Sequence, residues 1–203
     1  MLQVENLSCR NLAPVSFTVD AGESVAVTGA SGAGKSLLLR SLADLDPNDG
    51  EIFLDGRARS AMPAPAWRRR VVYVPAESGW WADHVGPHFD DRDAAAGFLH
   101  RLQLPAECME WPVARLSTGE RQRLALVRAM VLAPTVMLLD EPTSGLDHET
   151  TLRVEGVLHE RLTGAAAIIF VSHDKAQADR FGRRRLHIED GVIEEVPTEP
   201  RRS

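Results

Sequence analysis

Residues 29–36 constrain this chain more than any other part of its sequence. They read Gly-Ala-Ser-Gly-Ala-Gly-Lys-Ser and fit the pattern G-x-x-x-x-G-K-[ST] in full. A strand-like segment (24–28) precedes them and an apolar helical pattern (36–45) follows. Glycines let several backbone N–H groups converge on one anion, and the helix dipole adds positive potential at the same point. The segment therefore predicts nucleotide binding at a strand–loop–helix junction.

The two polar residues that end this loop have predicted roles. Lys35 is expected to reach the β- and γ-phosphates, and Ser36 to coordinate Mg²⁺. Lys35 and Lys175 are the two lysines in a chain rich in arginine, and a point charge suits such a loop better than a planar guanidinium. The alternative is an ordinary glycine-rich turn with an exposed lysine. The predicted nucleotide-binding residues are Gly29, Ala30, Ser31, Gly32, Ala33, Gly34, Lys35, Ser36 and Leu37, and Lys35 is also a catalytic candidate.

The composition is typical of a soluble protein with a hydrophobic core of its own. A length of 203 residues with 44% hydrophobic residues fits one domain. The net charge of −6 disfavours a protein that binds nucleic acid over its whole surface. Cys9 and Cys108 are too few for a disulfide framework and are expected to be buried free thiols. The absence of a long apolar run or a signal-like N-terminus predicts a cytoplasmic protein.

The hydrophobic periodicity predicts an α/β fold with a mostly parallel core sheet. We expect a single domain over 1–203, with its nucleotide-binding core at 1–75 and 134–195. An antiparallel β part is expected near the N-terminus, a small helical insert at about 76–133 and a frayed tail at 196–203. The predicted strands are 2–4, 15–19, 24–28, 51–54, 71–74, 136–139, 166–172, 186–189 and 192–195. The predicted helices are 36–45, 90–102, 148–162, one from about 117 and one after His173.

An apolar strand over 136–139 ends in two carboxylates, Asp140 and Glu141. A buried strand of this kind delivers its last residues to the carboxyl edge of the sheet, where ligands bind in such folds. Asp140 is therefore the expected partner of Ser36 in holding Mg²⁺, and Glu141 the expected general base for an attacking water. The alternative is a pair of solvated acids at a strand end.

Three further segments give the sequence a family resemblance. Residues 116–123 read Leu-Ser-Thr-Gly-Glu-Arg-Gln-Arg, residues 141–147 read Glu-Pro-Thr-Ser-Gly-Leu-Asp, and residues 170–174 read Phe-Val-Ser-His-Asp. Together with the phosphate loop, and in this order, they resemble the signature, D-loop and switch-histidine segments of the ATP-binding cassette (ABC) ATPases. The resemblance extends over nearly the whole chain, and the signature followed by this D-loop is its most specific part.

The resemblance implies a P-loop ATPase that forms a head-to-tail homodimer around two Mg-ATP molecules and drives a separate membrane permease. Ser117 and Gly119 of one subunit would cover the γ-phosphate bound by the other, and Asp147 would act across the interface. His173 would contact the γ-phosphate as a catalytic residue. It also implies no nucleic-acid partner and a location at the inner face of the cell membrane. Each residue has an alternative: Ser117 and Asp147 as helix caps, and His173 as an ordinary hydrogen-bonded histidine.

The sequence departs from the family pattern at Ala76, where the family usually places a glutamine that helps to ligate Mg²⁺ and relays to the permease. Alanine has no polar group, so this role is absent or displaced, with Glu77 as one candidate. The signature is altered by Thr118 and Glu120. Residues 8–12 also lack the aromatic residue on which the family often stacks adenine, which predicts weak selectivity for the base. Arg10 is a weak candidate for such stacking.

The insert contains an aromatic pair, Trp80 and Trp81, where the family docks a helix of its permease. An exposed pair would serve as a binding hot spot, and the equally weighted alternative is that both pack inside the insert. His84 and His88 are separated by Gly-Pro, which disfavours a helix, so no metal site is assigned to them.

The leading hypothesis is the ATPase subunit of an ABC transporter. The short insert and the Asp174-Lys175 pair resemble the ATPases of bacterial metal-export systems. A DNA-repair or translation ATPase is disfavoured because the chain lacks a long coiled-coil insertion and a second cassette. The remaining alternative is a regulatory nucleotide-binding protein with weak or no hydrolysis.

Overall fold

The computed structural model describes residues 1–196. Its helices are α1 (Lys35–Leu42), α2 (Ala64–Arg70), α3 (Arg92–Arg101), α4 (Thr118–Val131), α5 (His148–Thr163) and α6 (Lys175–Phe181). Its strands are β1 (Leu2–Cys9), β2 (Leu12–Val19), β3 (Ser24–Gly29), β4 (Asp49–Leu54), β5 (Arg57–Ala58), β6 (Val71–Val74), β7 (Val136–Asp140), β8 (Ala167–Val171), β9 (Arg184–Glu189) and β10 (Val192–Val196).

The strands form two sheets. The smaller sheet has the order β2-β1-β4-β5, with every pair antiparallel. The larger has the order β10-β9-β3-β8-β7-β6, and all of its pairs are parallel except the β9–β10 hairpin. The strands β6, β7 and β8 read as near-continuous apolar runs because both of their faces are covered. The carboxyl ends of the parallel strands lie along one edge of this sheet, and the candidate site is at that edge.

Side chains that alternate along the strands divide the interior into two apolar clusters. Val25 and Val27 of β3 pack with α1, α2 and the small sheet, whereas Ala26 between them packs with α4, α5 and α6. Trp67 of α2 is fully buried on the first side, and its indole N–H donates to the carbonyl of Leu42, 3.0 Å away. The large sheet therefore separates two clusters. We call the one that contains Val25 and Val27 the nucleotide-loop cluster and the one that contains Ala26 the insert-face cluster.

The predicted α/β fold is confirmed, and several boundaries differ. The strands β1 and β2 are longer than expected, because bulges near Leu7 carry the pairing past the polar residues that appeared to end them. The helix α2 was not predicted, since Pro63 and Pro65 and three arginines obscure its periodicity. Val196 was expected in a frayed tail, but it pairs with Arg185 in the β9–β10 hairpin. The rest of that predicted tail, 197–203, lies outside the described residues.

Two expectations about the interior can be compared directly with the structure. Cys9 and Cys108 are both buried free thiols, as expected. Burial, with smaller contributions from the charges of Glu107 and Glu120, raises the pKa of the Cys108 thiol to about 11. No helix within residues 1–196 has the length and apolar character needed to cross a bilayer.

Candidate nucleotide site

The phosphate loop follows β3 and leads into α1, as its sequence predicts. Gly29, Gly32 and Gly34 all have positive φ, at 143°, 79° and 108°. A Cβ atom at Gly29 would lie 2.4 Å from the carbonyl oxygen of Ile188, and one at Gly34 would lie 2.8 Å from Leu12 Cδ2. Backbone conformation and close approach both call for glycine at these two positions. The loop is thus held in a concave form by its own neighbours.

Lys35 is the buried cation of this loop. Its side chain belongs to a residue that is 6% exposed, and Nζ donates to the carbonyls of Gly29 and Ala30 at 2.9 and 2.8 Å. An ammonium group has three donors, so one remains for an anion held by the loop. Burial strengthens this interaction because the low local dielectric screens it less than water would. Lys35 therefore provides a positive charge that is oriented before any ligand arrives.

The N-terminus of α1 has the features of an anion site. Its N-cap residue is Gly34, which has no side chain to satisfy the first-turn N–H groups, and the first turn carries no acidic residue. Ser36 is exposed beside these N–H groups, whereas Leu37 packs its side chain against the core and can offer a ligand its backbone only. A cleft of ≈ 640 Å³ opens next to residues 30–33, with Asn11 and residues 187–191 on its other side. The helix dipole and the free N–H groups both favour a phosphate there.

Asp140 ends β7 at the same edge of the sheet. The residue is 5% exposed, and the hydroxyl of Tyr73 donates to its Oδ2 at 3.0 Å. Burial, together with the negative charge of Asp140, raises the pKa of the Tyr73 phenol well above its ordinary value. Our reading of the sequence assigned no role to Tyr73, because the two residues are 67 positions apart and meet through the pairing of β6 with β7.

The donor set at this edge fits Mg²⁺. A carboxylate and a hydroxyl are the hard oxygen ligands that this ion prefers, and it usually takes only one or two of them from a protein. Asp140 and Ser36 are of that kind. Tyr73 holds one carboxylate oxygen of Asp140, Oδ2, and so distinguishes the two oxygens of this carboxylate.

Glu141 and His173 are brought together at the ends of β7 and β8. His173 Nε2 lies 2.9 Å from Glu141 Oε1, with the two side chains 52% and 30% exposed. Glu141 has φ of 50°, a left-handed conformation that is unusual for a non-glycine residue. Its N–H donates to the carbonyl of Val171 at 3.2 Å, and its own carbonyl accepts from Gln122 Nε2 at 2.6 Å. The surrounding backbone thus fixes this carboxylate in reach of the imidazole.

The signature residues lie at the N-terminus of α4, where Ser117 is the N-cap. Ser117 Oγ accepts from the N–H of Glu120 at 3.2 Å, and the Glu120 carboxylate accepts from the Ser117 N–H and hydroxyl at 2.8 and 2.7 Å. The Ser117 N–H and hydroxyl lower the pKa of Glu120. Gly119 lies against the following D-loop, because a Cβ there would be 3.1 Å from Leu146 Cδ2. The capping box anticipated for Ser117 is therefore present.

Asp147 is likewise a helix cap in the single chain. Its carboxylate caps α5 by accepting from the N–H and the hydroxyl of Thr150 at 2.9 and 2.8 Å. The same backbone N–H is the main cause of the lowered pKa of Asp147. The structure of one chain thus contains the capping alternative at both Ser117 and Asp147, and a role in ligand binding requires a second subunit.

Gln122 connects the signature helix to the acidic strand end, and sequence reasoning missed it. Its Nε2 donates to the Glu141 carbonyl, and its Oε1 accepts from the N–H of Gly145 at 3.3 Å. A second buried link joins Thr143 to Gln177, whose Nε2 donates to the Thr143 hydroxyl at 2.9 Å. The signal available in the sequence was that both glutamines fall within predicted amphipathic helices. A polar residue there is buried only when it has a specific partner.

The aromatic pair of the insert divides between its two alternatives. Trp81 is 71% exposed, whereas Trp80 packs against the insert-face cluster. The guanidinium of Arg128 lies 5.2 Å from the Trp80 ring and 5.0 Å from the Trp81 ring. Burial lowers the pKa of Arg128. Trp81 also borders a groove of ≈ 300 Å³ whose apolar lining includes Val72, Val74, Phe89, Ala129 and Leu132.

His88 is a structural part of this loop. Its Nε2 accepts from the backbone N–H groups of Trp81 and Ala82 at 2.9 and 3.2 Å, and its Nδ1 lies 3.1 Å from the carbonyl of Val85. Both ring nitrogens are thus engaged by the chain itself. Within the described residues, no group of three or more histidine, cysteine or acidic side chains is placed to bind a metal ion.

The family departures at Ala76 and in the turn between β1 and β2 occupy exposed positions. Ala76 and Glu77 follow β6 at the surface. Arg10 and Asn11 form the exposed turn between β1 and β2, and Asn11 lines the cleft beside the phosphate loop. The polar contact from β6, the strand before Ala76, to Asp140 comes from Tyr73.

Comparison with known proteins identifies the family. The ABC transporter family matches residues 12–144. The aliphatic sulfonates import ATP-binding protein SsuB of Cupriavidus necator is 39% identical over 187 residues, which cover 88% of this chain and 61% of that protein. SsuB 1 of Rhizobium johnstonii is 37% identical, with 91% and 70% covered. The chain thus spans about three fifths to seven tenths of the length of these relatives.

Solved structures share the fold. An ATP-binding subunit of an ABC transporter superposes with a TM-score of 0.85 at 24% identity, covering 96% of this chain and 89% of that one. A bacterial Atm1-family ABC exporter with ATP bound gives 0.82 at 26% identity, covering 96% and 38%. A dimeric ATP-binding cassette bound to ADP and Pi gives 0.80 at 23% identity, covering 98% and 100%. Motifs, geometry and relatives agree, and the chain belongs to the ABC transporter family as an ATP-binding cassette.

Proposed function

We propose that this chain is the ATP-binding and hydrolysing subunit of an ABC transporter. The observation that carries the proposal is the meeting of the phosphate loop with the Glu141–His173 pair at one sheet edge, where Gly29 and His173 line the same cleft of ≈ 260 Å³. An anion cradle beside a positioned carboxylate and imidazole suits hydrolysis of a bound polyphosphate.

In this proposal each residue at the edge has one task. The loop N–H groups and Lys35 hold the β- and γ-phosphates, and Ser36 and Asp140 hold Mg²⁺. When bound, the ion would supply positive charge to neutralise the charge that develops on the phosphate oxygens. Glu141 accepts the proton of the attacking water. His173 Nε2 contacts the Glu141 carboxylate in the chain without nucleotide, and it would exchange this partner for the γ-phosphate when nucleotide is bound.

The second half of each site comes from another copy of the chain. Ser117 and Gly119 at the N-terminus of α4 would cover the γ-phosphate bound by the partner, and Asp147 would contact it across the interface. Support comes from the exposed position of Ser117 and from the packing of Gly119 against Leu146, which presents signature and D-loop as one surface. An ATP-sandwich homodimer follows from this arrangement.

A separate integral membrane permease is the second partner. The apolar groove beside Trp81 is the surface proposed to receive it, because an exposed tryptophan at an apolar pocket is typical of a binding hot spot. The subunit would then lie at the cytoplasmic face of the membrane. The names of the relatives favour import of an aliphatic sulfonate or a similar organic anion. Metal export stays a prediction, supported by the short insert and Asp174-Lys175.

Two experiments test this function. The purified chain should hydrolyse Mg-ATP, and Glu141→Gln should abolish hydrolysis while nucleotide binding is kept. A chain that binds Mg-ATP without hydrolysing it, alone and with its permease, would instead favour the regulatory alternative, to which the loss of a polar group at Ala76 points. Co-purification with a tagged membrane protein encoded beside this chain tests the permease partner.

A further inference from the structure

Tyr73 makes a contact that the proposed mechanism does not use. It lies on β6 opposite Leu138 of β7, so Asp140 is two residues further along the neighbouring strand and on the same face. The phenol crosses between the strands and donates to Asp140 Oδ2 at 3.0 Å. The ring itself packs against the nucleotide-loop cluster, which includes Leu37 and Leu38 of α1. The hydroxyl thus donates to one carboxylate oxygen from a ring that is partly buried against this cluster.

The carboxylate of Asp140 gains its orientation from this bond. A buried aspartate can rotate about χ2, and its two oxygens exchange roles unless a neighbour distinguishes them. The bond from Tyr73 occupies Oδ2 and so makes the two oxygens of this carboxylate inequivalent. Hydrogen bonds that orient a metal-binding carboxylate in this way typically change metal affinity by about 10–100-fold when they are removed.

The position of Tyr73 on β6 also bears on Ala76. The strand ends at Val74, and Pro75 connects it to Ala76, which is exposed and has no polar side chain. Val72 and Val74 face the insert-face cluster, while Tyr73 between them faces the nucleotide-loop side. The strand that leads into this loop therefore reaches the Mg²⁺ site through its own tyrosine.

We propose that Tyr73 is a positioning residue that orients Asp140 for Mg²⁺ and supplies the contact from β6 that Ala76 cannot make. The proposal rests on the proposed function only in taking Mg-ATP as the ligand. It concerns binding, so it holds or fails independently of hydrolysis.

The first test compares Tyr73→Phe with the wild type in nucleotide binding. A fluorescent ATP analogue is titrated in EDTA and then across a range of Mg²⁺ concentrations. The variant should bind the analogue in EDTA as tightly as the wild type does. It should need an about tenfold higher Mg²⁺ concentration to reach half of the Mg²⁺-dependent change in fluorescence. Equal Mg²⁺ requirements in the two proteins would overturn the proposal.

A matched control separates orientation from general loss of a buried hydroxyl. Ser24→Ala removes the hydroxyl that donates to the carbonyl of Phe181 at 2.6 Å, at the opposite end of β3 from the phosphate loop. This variant should be destabilised like Tyr73→Phe and should keep the wild-type Mg²⁺ requirement. If Ser24→Ala raised the Mg²⁺ requirement as much as Tyr73→Phe does, lost stability would explain both changes, and the proposal would be contradicted.

The second test needs no substitution, because Tyr73 is the single tyrosine of the chain. Incorporation of 3-fluorotyrosine gives one ¹⁹F resonance that reports on this side chain. The resonance should shift when Mg²⁺ is added to the nucleotide complex, and should move less when nucleotide is added in EDTA. A resonance that Mg²⁺ leaves unmoved would contradict the proposal even if Tyr73→Phe failed to fold. Failure of the proposed function would appear separately, as wild-type protein that hydrolyses no ATP.

Discussion

The helix N-termini at the candidate site differ in how they satisfy their backbone donors. The helix α1 begins after Gly34 with no side-chain cap and no acid in its first turn. The helix α4 begins at Ser117 with a complete capping box, and α5 begins at Asp147 with a carboxylate cap. An uncapped N-terminus with a buried lysine attracts an anion, whereas capped N-termini are already stable in water. One chain therefore contains a helix N-terminus at α1 that is open to an anion and a signature segment at α4 that is stable without one.

This difference explains why the two halves of the site are expected to act in sequence. Nucleotide can bind first to α1, because no side chain of the described residues caps the N–H groups of its first turn. The α4 end then offers its N-terminal dipole and the Ser117 hydroxyl, but that hydroxyl must leave the Glu120 carboxylate, to which it donates at 2.7 Å. In the proposed dimer, closure would exchange this hydrogen bond for one to the γ-phosphate, and the net gain at each site would be about 0.5–1.5 kcal/mol.

The largest expected effect comes from removing the cation of the α1 end. Lys35→Ala deletes a charge-assisted contact to the phosphates and should lower Mg-ATP affinity by about 10–100-fold, from a loss of about 1.5–3 kcal/mol. Equilibrium titration with a fluorescent ATP analogue measures this change. Arg153→Ala, which removes a surface cation paired with Glu149, is the control and should leave affinity unchanged. Equal affinities for Lys35→Ala and the wild type would show that α1 alone holds the phosphates.

The next effect separates the α4 end from the α1 end. In a Glu141→Gln background, Ser117→Ala should leave nucleotide binding by the single chain intact and raise the dimer dissociation constant at least ~10-fold, because each site loses one hydrogen bond to the phosphate. Sedimentation with Mg-ATP measures it. Asp91→Ala removes the cap of α3 and is the control for a lost N-cap, which costs about 1 kcal/mol of stability. Unchanged dimerisation would place Ser117 outside the interface.

A smaller effect concerns the base rather than the phosphates. The cleft beside the phosphate loop shows exposed Asn11 and the turn at residues 190–191, and no phenylalanine, tyrosine or tryptophan is among its lining residues in the described chain. Affinities for ATP and GTP should therefore agree to within about 1 kcal/mol, roughly fivefold, since a stacking partner would contribute about 1–3 kcal/mol. Parallel titrations with the two nucleotides decide this. A strong preference for ATP would mean that a specific base contact exists.

The smallest effect is the pH dependence of the α4 cap. The pKa of Glu120 is lowered in the folded chain by the Ser117 N–H and hydroxyl. A carboxylate with a depressed folded pKa contributes stability above its unfolded pKa and loses it as pH falls through the folded pKa. Glu120→Gln should thus destabilise the protein by less than about 1 kcal/mol at pH 7, and the difference should shrink below pH 4.5.

Urea unfolding of Glu120→Gln and the wild type, at pH 7 and again below pH 4.5, measures this difference in the free energy of unfolding. A destabilisation that grows as the pH falls would contradict the capping-box account. The same variant also removes a carboxylate from the surface proposed to meet the partner's nucleotide. Easier dimer closure in Glu120→Gln would therefore sharpen the contrast between the two helix ends.

The parts of the site that lie close together in the sequence were predictable. The phosphate loop is one continuous segment, 29–36, and the caps at Ser117 and Asp147 each depend on a residue three positions away, where local rules apply. Tyr73 and Gln122 were missed because their partners are set by strand pairing and helix packing over distances that a local pattern does not encode. The fold followed from strand–helix alternation, since buried parallel strands have distinctive apolar runs.

The insert shows where sequence reasoning reached its limit. Trp80 and Trp81 are neighbours in sequence, yet one packs on the core and the other is exposed, because the loop is folded around His88. Helix α2 was missed for a related reason: burial of Trp67 against α1 stabilises a short helix that its own sequence does not indicate.

The central claim is that one chain holds Mg-ATP at α1 and that a second chain completes the site with α4. The most direct test is the solution mass of Glu141→Gln by light scattering, with and without saturating Mg-ATP, since blocked hydrolysis should trap the closed state. We predict a monomer without nucleotide and a dimer with it, and reversal by the added Ser117→Ala substitution. A monomer under both conditions, with nucleotide binding confirmed by titration, would contradict the claim that α4 closes on the nucleotide of a second chain.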